Sequence, residues 1–102
     1  MTLTLQKNII ETNTEILFKR VQTQRTLLNA RFKELSTKGK KFVLMEHEIS
    51  EILETFQNFE SELNILPADL PSHMETKKRE LLKKLKGDII LLKTFIDNLD
   101  AE

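Results

Sequence analysis

Between Phe42 and Leu66 the apolar residues fall at 42, 45, 49, 52, 56, 59, 63 and 66, a three-four spacing without a miss. Two turns of an α-helix take about seven residues, so this spacing lines the side chains along one side of a helix as a coiled-coil seam. After the second proline the pattern resumes at Met74, Leu81, Leu85, Leu92, Phe95 and Leu99, with a second stripe at Leu82, Ile89 and Ile96. Such a broad face takes two neighbouring helices to cover it. Upstream, Ile9, Ile10, Ile16, Leu17, Val21, Leu27, Leu28, Phe32 and Leu35 keep helical spacing, while Thr14, Gln24 and Arg31 interrupt the seam. The pattern therefore predicts helices over about 4–37, 40–66 and 72–99.

Both prolines fall inside "NILPADLPSHMET", residues 64–76. Pro67 has no N–H to continue a helix and biases Leu66 away from helical angles, so the second helix must stop there. Ser72 stands three residues before Glu75, the spacing of a capping box, so the next helix starts at once. A connection of about five residues places its helices antiparallel. "PADLP" spaces its prolines too widely for the PxxP core of a polyproline ligand, which leaves the turn. Pairing about this turn sets Leu63 near Glu75, Phe56 near Leu82, Ile49 near Ile89 and Phe42 near Ile96, with Leu99 opposite Gly39. A second reversal at "STKGKK" would then fold the first helix back over the other two.

The expected fold is all-α: one domain, residues 1–102, forming a three-helix antiparallel bundle of coiled-coil type. A long bent helix with a folded-back C-terminal helix is the alternative. Val21, Leu28, Leu35, Phe42, Ile49, Phe56 and Leu63 keep one seven-residue stride straight through Gly39. No good N-cap opens the second helix, and Lys38, Lys40 and Lys41 sit unfavourably at its positive end. A continuous helix of about 60 residues would be about 90 Å long.

Composition narrows the chemistry more than the shape. At 102 residues, with two glycines and two prolines, the chain suits a single helical core. Cysteine is absent, which removes disulfides, thiolate metal sites and thiol nucleophiles. Glycines at 39 and 87 alone build no phosphate loop, and His47 and His73 have no converging ligands around them. No catalytic, cofactor-binding or metal-ligating residue is therefore assigned, and neither enzyme activity nor a small-molecule substrate is expected. "MTLTLQKNII" lacks the apolar run of a signal peptide, and "IILL" at 89–92 is too short to span a bilayer. An intracellular location, cytoplasmic or nuclear, is expected, and not a secreted or transmembrane one.

Sixteen basic and sixteen acidic residues cancel, so any electrostatic role must be local. The sharpest local feature is "KKRELLKKLK", with Lys77, Lys78, Arg79, Lys83, Lys84 and Lys86 around a leucine stripe. Opposite it, residues 46–62 hold six glutamates and no Lys or Arg. The antiparallel pairing lays Glu51, Glu54, Glu60 and Glu62 beside the basic stretch, so internal pairing is expected first. Gln24 in a seam resembles the ionic layer of SNARE motifs, but Arg31 and Lys38 fall where that helix needs apolar layers. The length fits a spectrin-type repeat, whose first-helix tryptophan is missing, so no family is assigned.

What remains is a non-enzymatic helical protein–protein interaction module. The expected role is subunit or adaptor of a larger coiled-coil assembly, of cytoskeletal, chromosome-segregation or vesicle-tethering type. Its partner, another copy or a different protein, would dock by helix packing on Ile9, Ile10, Ile16, Leu17, Val21, Leu27 and Leu28, which cover more than one stripe of the first helix. The alternative function is an anionic membrane- or nucleic-acid-surface binder acting through Lys77–Lys86. Because the whole chain is neutral, neither nucleic acid nor membrane is expected as the principal partner.

Overall fold

The computed structural model describes the backbone of residues 2–37 and 42–101, and the side-chain surroundings of residues 9–37 and 46–98. Three helices account for most of it: α1 (Thr2–Thr37), α2 (Phe42–Asn64) and α3 (Ser72–Ala101). Every predicted helix end lies within two residues of these bounds. No strand occurs among the described residues.

The turn between α2 and α3 works through its prolines, though not quite as the capping-box spacing implies. After Asn64 the amide of Ile65 still donates to the Ser61 carbonyl at 3.2 Å, and that of Leu66 donates to Leu63 at 3.3 Å. Pro67 has no donor with which to go on. At the other side, the Pro71 carbonyl accepts from Met74 N–H at 2.9 Å and Glu75 N–H at 3.0 Å. Pro71 is thus the N-cap residue and Ser72 the first residue of the helix, which starts one residue earlier than a Ser72–Glu75 capping box requires. The carboxylate of Glu75 turns instead toward Lys78 and Arg79, at 3.8 and 3.6 Å.

Side-chain pairs fix the helix directions. Arg31 Nη2 meets Glu48 Oε2 at 3.1 Å, and Arg20 lies over the Phe59 ring at 5.8 Å, so α1 and α2 run antiparallel. Against α3 the numbers rise together: Lys77 lies over Phe18, Arg25 meets Asp88, and Phe32 meets Phe95 edge-on at 5.2 Å. α1 and α3 are therefore parallel, and both are antiparallel to α2. The molecule measures 60 × 18 × 17 Å, close to the about 54 Å rise of α1 alone and far from the about 90 Å of a continuous helix. The chain accordingly doubles back between Thr37 and Phe42, and the bundle prevails over the long bent form. Gly39, Phe42 and Leu99, for which turn and pairing roles are expected, lie outside the residues whose side-chain surroundings are described.

The core follows the predicted seams of α2 and α3. Ile49, Ile52, Phe56, Phe59 and Leu63 are buried against Met74, Leu81, Leu85, Ile89 and Leu92, and this is the most extensive of the three helix contacts. α1 joins through Phe18, Val21 and Leu35, with Leu17, Leu28 and Phe32 packed at the margin. Its seam runs through 14, 18, 21, 25, 28, 32 and 35, one position away from the seam that Gln24 and Arg31 suggest. Gln24 and Arg31 are exposed, whereas Thr14 is buried and donates its hydroxyl to the Ile10 carbonyl at 2.7 Å. That back-bond satisfies the only polar atom Thr14 brings to the seam.

Truncating a side chain at the middle of this core removes both transfer energy and packing. Phe56→Ala is expected to cost about 3 to 5 kcal/mol and lower Tm by more than about 10 °C, against about 0.5 kcal/mol or less for the exposed Glu54→Ala. Thermal melts of the two variants check this, and equal shifts would contradict the assignment of faces.

Candidate functional site

α1 carries more apolar side chains than its two neighbours can cover. Ile9, Ile16 and Leu27 are spaced by seven and eleven residues, which at 100° per residue brings them to within about 20° of one line. That line lies opposite the seam through Thr14, Phe18 and Val21. Leu27 is 58% exposed, and Ile9 and Ile16 are similarly open. Around Ile16 the surface is completed by Lys19, Arg20, Thr23 and Gln24, a shallow rim of basic and neutral groups.

A second apolar opening sits at the turn end of the bundle. Ile10 and Leu17 of α1 face Ile65, Leu66 and Pro67 across a groove of about 370 Å³, with Arg20 and Glu62 also lining it. Ile65 is 82% exposed, because α2 ends one residue earlier and the turn carries this side chain away from the seam. The seven residues expected to contact a partner therefore separate. Ile9, Ile10, Ile16 and Leu27 are surface residues; Leu17 and Leu28 pack at the core margin; Val21 is fully buried and belongs to the fold itself.

Sequence reasoning missed a polar layer in the middle of the bundle. Arg25 Nε meets Asp88 Oδ2 at 2.6 Å and Arg25 Nη2 meets Oδ1 at 3.2 Å, a bidentate pair, while Asn29 Nδ2 reaches Oδ2 at 3.4 Å. Only 12% of the Asp88 side chain is exposed. Both charged residues stand at seam positions of their helices, and the signal was the unbroken three-four spacing 14-18-21-25-28-32-35, visible once Phe18 rather than Leu17 is taken as the core residue.

The basic stretch is not neutralised by the glutamates of α2. Lys78 keeps 15% side-chain exposure and reaches Glu75, Arg79 also pairs with Glu75, and Lys77 lies over Phe18 at 5.9 Å. On the other side Glu48 pairs with Arg31 of α1 and Glu51 with His47 of its own helix. Among the described residues no ion pair joins Lys77–Lys86 to α2, and Lys83, Lys84 and Lys86 are exposed.

Among the described residues no three His, Asp or Glu side chains converge as a metal site requires. No described helix is long and apolar enough to cross a membrane. In comparisons with known proteins, the chain matches no family model, no curated protein and no solved structure.

The polar layer makes a specific claim on stability. Asp88→Ala leaves a partly buried guanidinium without its partner and is expected to cost about 1 to 3 kcal/mol. Arg25→Leu combined with Asp88→Leu should recover most of that loss, since an apolar pair of similar volume carries no desolvation cost. Urea unfolding of the single and double variants measures both, and additive losses would sink the idea that the two groups act as one unit.

Proposed function

We propose that this chain is a non-enzymatic helical interaction module, a subunit or adaptor of a larger helical assembly. It binds a partner helix along the outward face of α1. The observation that carries this reading is the line of Ile9, Ile16 and Leu27, exposed directly opposite the seam that holds α1 in the bundle. Scattered single aliphatic residues on a surface need no explanation, but a line of them at helical spacing on one face is the pattern by which one helix packs on another.

The same face explains why α1 is the element to dock. Its contacts with α2 and α3 are each less extensive than the contact between those two, so its remaining apolar side is offered without disturbing the hairpin. Apolar side chains of the line supply affinity by leaving water, and Lys19 and Arg20 beside it set the alignment of an oppositely charged partner.

Ile16→Asp with Leu27→Asp tests the reading. Because both positions are exposed, Tm should stay within about 2 °C of the parent, on the scale of ordinary surface changes. The parent chain is expected to form a larger complex, sized by light scattering, and the double variant to lose it. A variant that assembles like the parent would refute docking on this face, and one that fails to fold would show that these side chains belong to the core.

A further inference from the structure

The second surface worth explaining is on α3, where Ile90 is 64% and Leu91 55% exposed. Lys86 precedes Ile90 by four residues and Lys93 follows it by three, so each stands one turn from it on the same side of the helix. Lys83 and Lys84 lie one turn further back, and all four lysines are exposed. Gly87, between them and Leu91, leaves a bare stretch of backbone with nothing within 4 Å of where a Cβ would stand. Asp88, the nearest acid, is turned inward and held by Arg25. Glu80 is ten residues from Ile90 and Asp97 seven, about three and two turns along the helix, with Asp97 one turn beyond Lys93.

We propose that this outer face of α3 binds an anionic lipid surface, with Ile90 and Leu91 entering the boundary between headgroups and acyl chains. Lys83, Lys84, Lys86 and Lys93 then reach the lipid phosphates and carboxylates from their flexible stems, lying on the surface rather than through it. Charge complementarity names the occupant: among the described residues no ion pair engages Lys83, Lys84, Lys86 or Lys93. The aliphatic pair among them distinguishes lipid from nucleic acid. A nucleic acid would meet the lysines with its phosphates but leave Ile90 and Leu91 exposed to water, and this face has no aromatic ring on which a base could stack. The neutral charge of the whole chain does not oppose this, because six of the balancing carboxylates are on α2, a different helix.

Flotation of the full chain with vesicles tests the proposal. Binding is expected to phosphatidylcholine vesicles containing about 30% phosphatidylserine at about 0.1 M salt, to weaken at about 1 M salt, and to be absent with phosphatidylcholine alone. Lys83→Gln, Lys84→Gln and Lys86→Gln together should weaken it about 100-fold, each lysine being worth about fivefold near such a surface. Ile90→Ser with Leu91→Ser should weaken it at least about tenfold. Both variants keep the parent Tm, which a melt confirms. Absence of binding to the anionic vesicles overturns the proposal, as does binding indifferent to Ile90→Ser and Leu91→Ser. So does preferential binding of a short DNA duplex over the vesicles, retained in that double variant, which assigns the lysines to a phosphate backbone instead.

Discussion

Burial of the α2 seam against α3 is the constraint on which the other features of this bundle rest. Most of the stability of helices such as these, 23 and 30 residues long, comes from packing an apolar face rather than from helix propensity. Here the face of α2 is interrupted nowhere between Ile49 and Leu63, and the proline-bounded turn returns α3 along it at short range. Closing such a short loop costs little entropy compared with what the seam regains. Once formed, the hairpin leaves one side of α3 uncovered through Phe95 and Asp88, and that side is where α1 lies.

α1 meets this surface on different terms. Its seam carries Thr14 and Arg25 as well as Phe18, Val21 and Leu35, so part of its contact is polar. A half-buried ion pair adds little net stability over an apolar pair, but it works only in one register, since any slip would strand both charges. Arg25, Asp88 and Asn29 therefore read as the alignment device of a helix that is long enough to slide. At 36 residues α1 extends well beyond what α2 covers, and its aliphatic residues continue around to the outer side.

Charge is segregated in the same way. The six glutamates of α2 and the basic stretch of α3 lie on adjacent helices, yet the groups that touch are others: Arg31 with Glu48, Glu75 with Lys78 and Arg79. Exposed pairs would contribute little in any case. The consequence is a bundle whose lysines at 83, 84 and 86 stay open to solvent, with exposed apolar side chains on α1, at the turn between α2 and α3, and on α3.

Helix number, helix ends and the faces of α2 and α3 were legible in the sequence, because they depend on local rules: apolar periodicity, proline chemistry and the scarcity of glycine. Ile49, Phe56, Leu63 and Leu85 were core residues by spacing alone and are fully buried. The candidate surface was legible only in part, for Ile9, Ile16 and Leu27 share a pattern with Val21 and Leu28 that does not say which stripe is covered. Tertiary structure decided that. It chose the seam through Phe18 and Arg25 over the one through Gln24 and Arg31, because a side chain is interior only relative to a neighbour. It also decided the reversal between Thr37 and Phe42, where an unbroken seven-residue stride is equally compatible with a straight helix. Periodicity is a property of one helix, whereas burial, register and the choice between folding back and running on are settled by the energy of contact between helices.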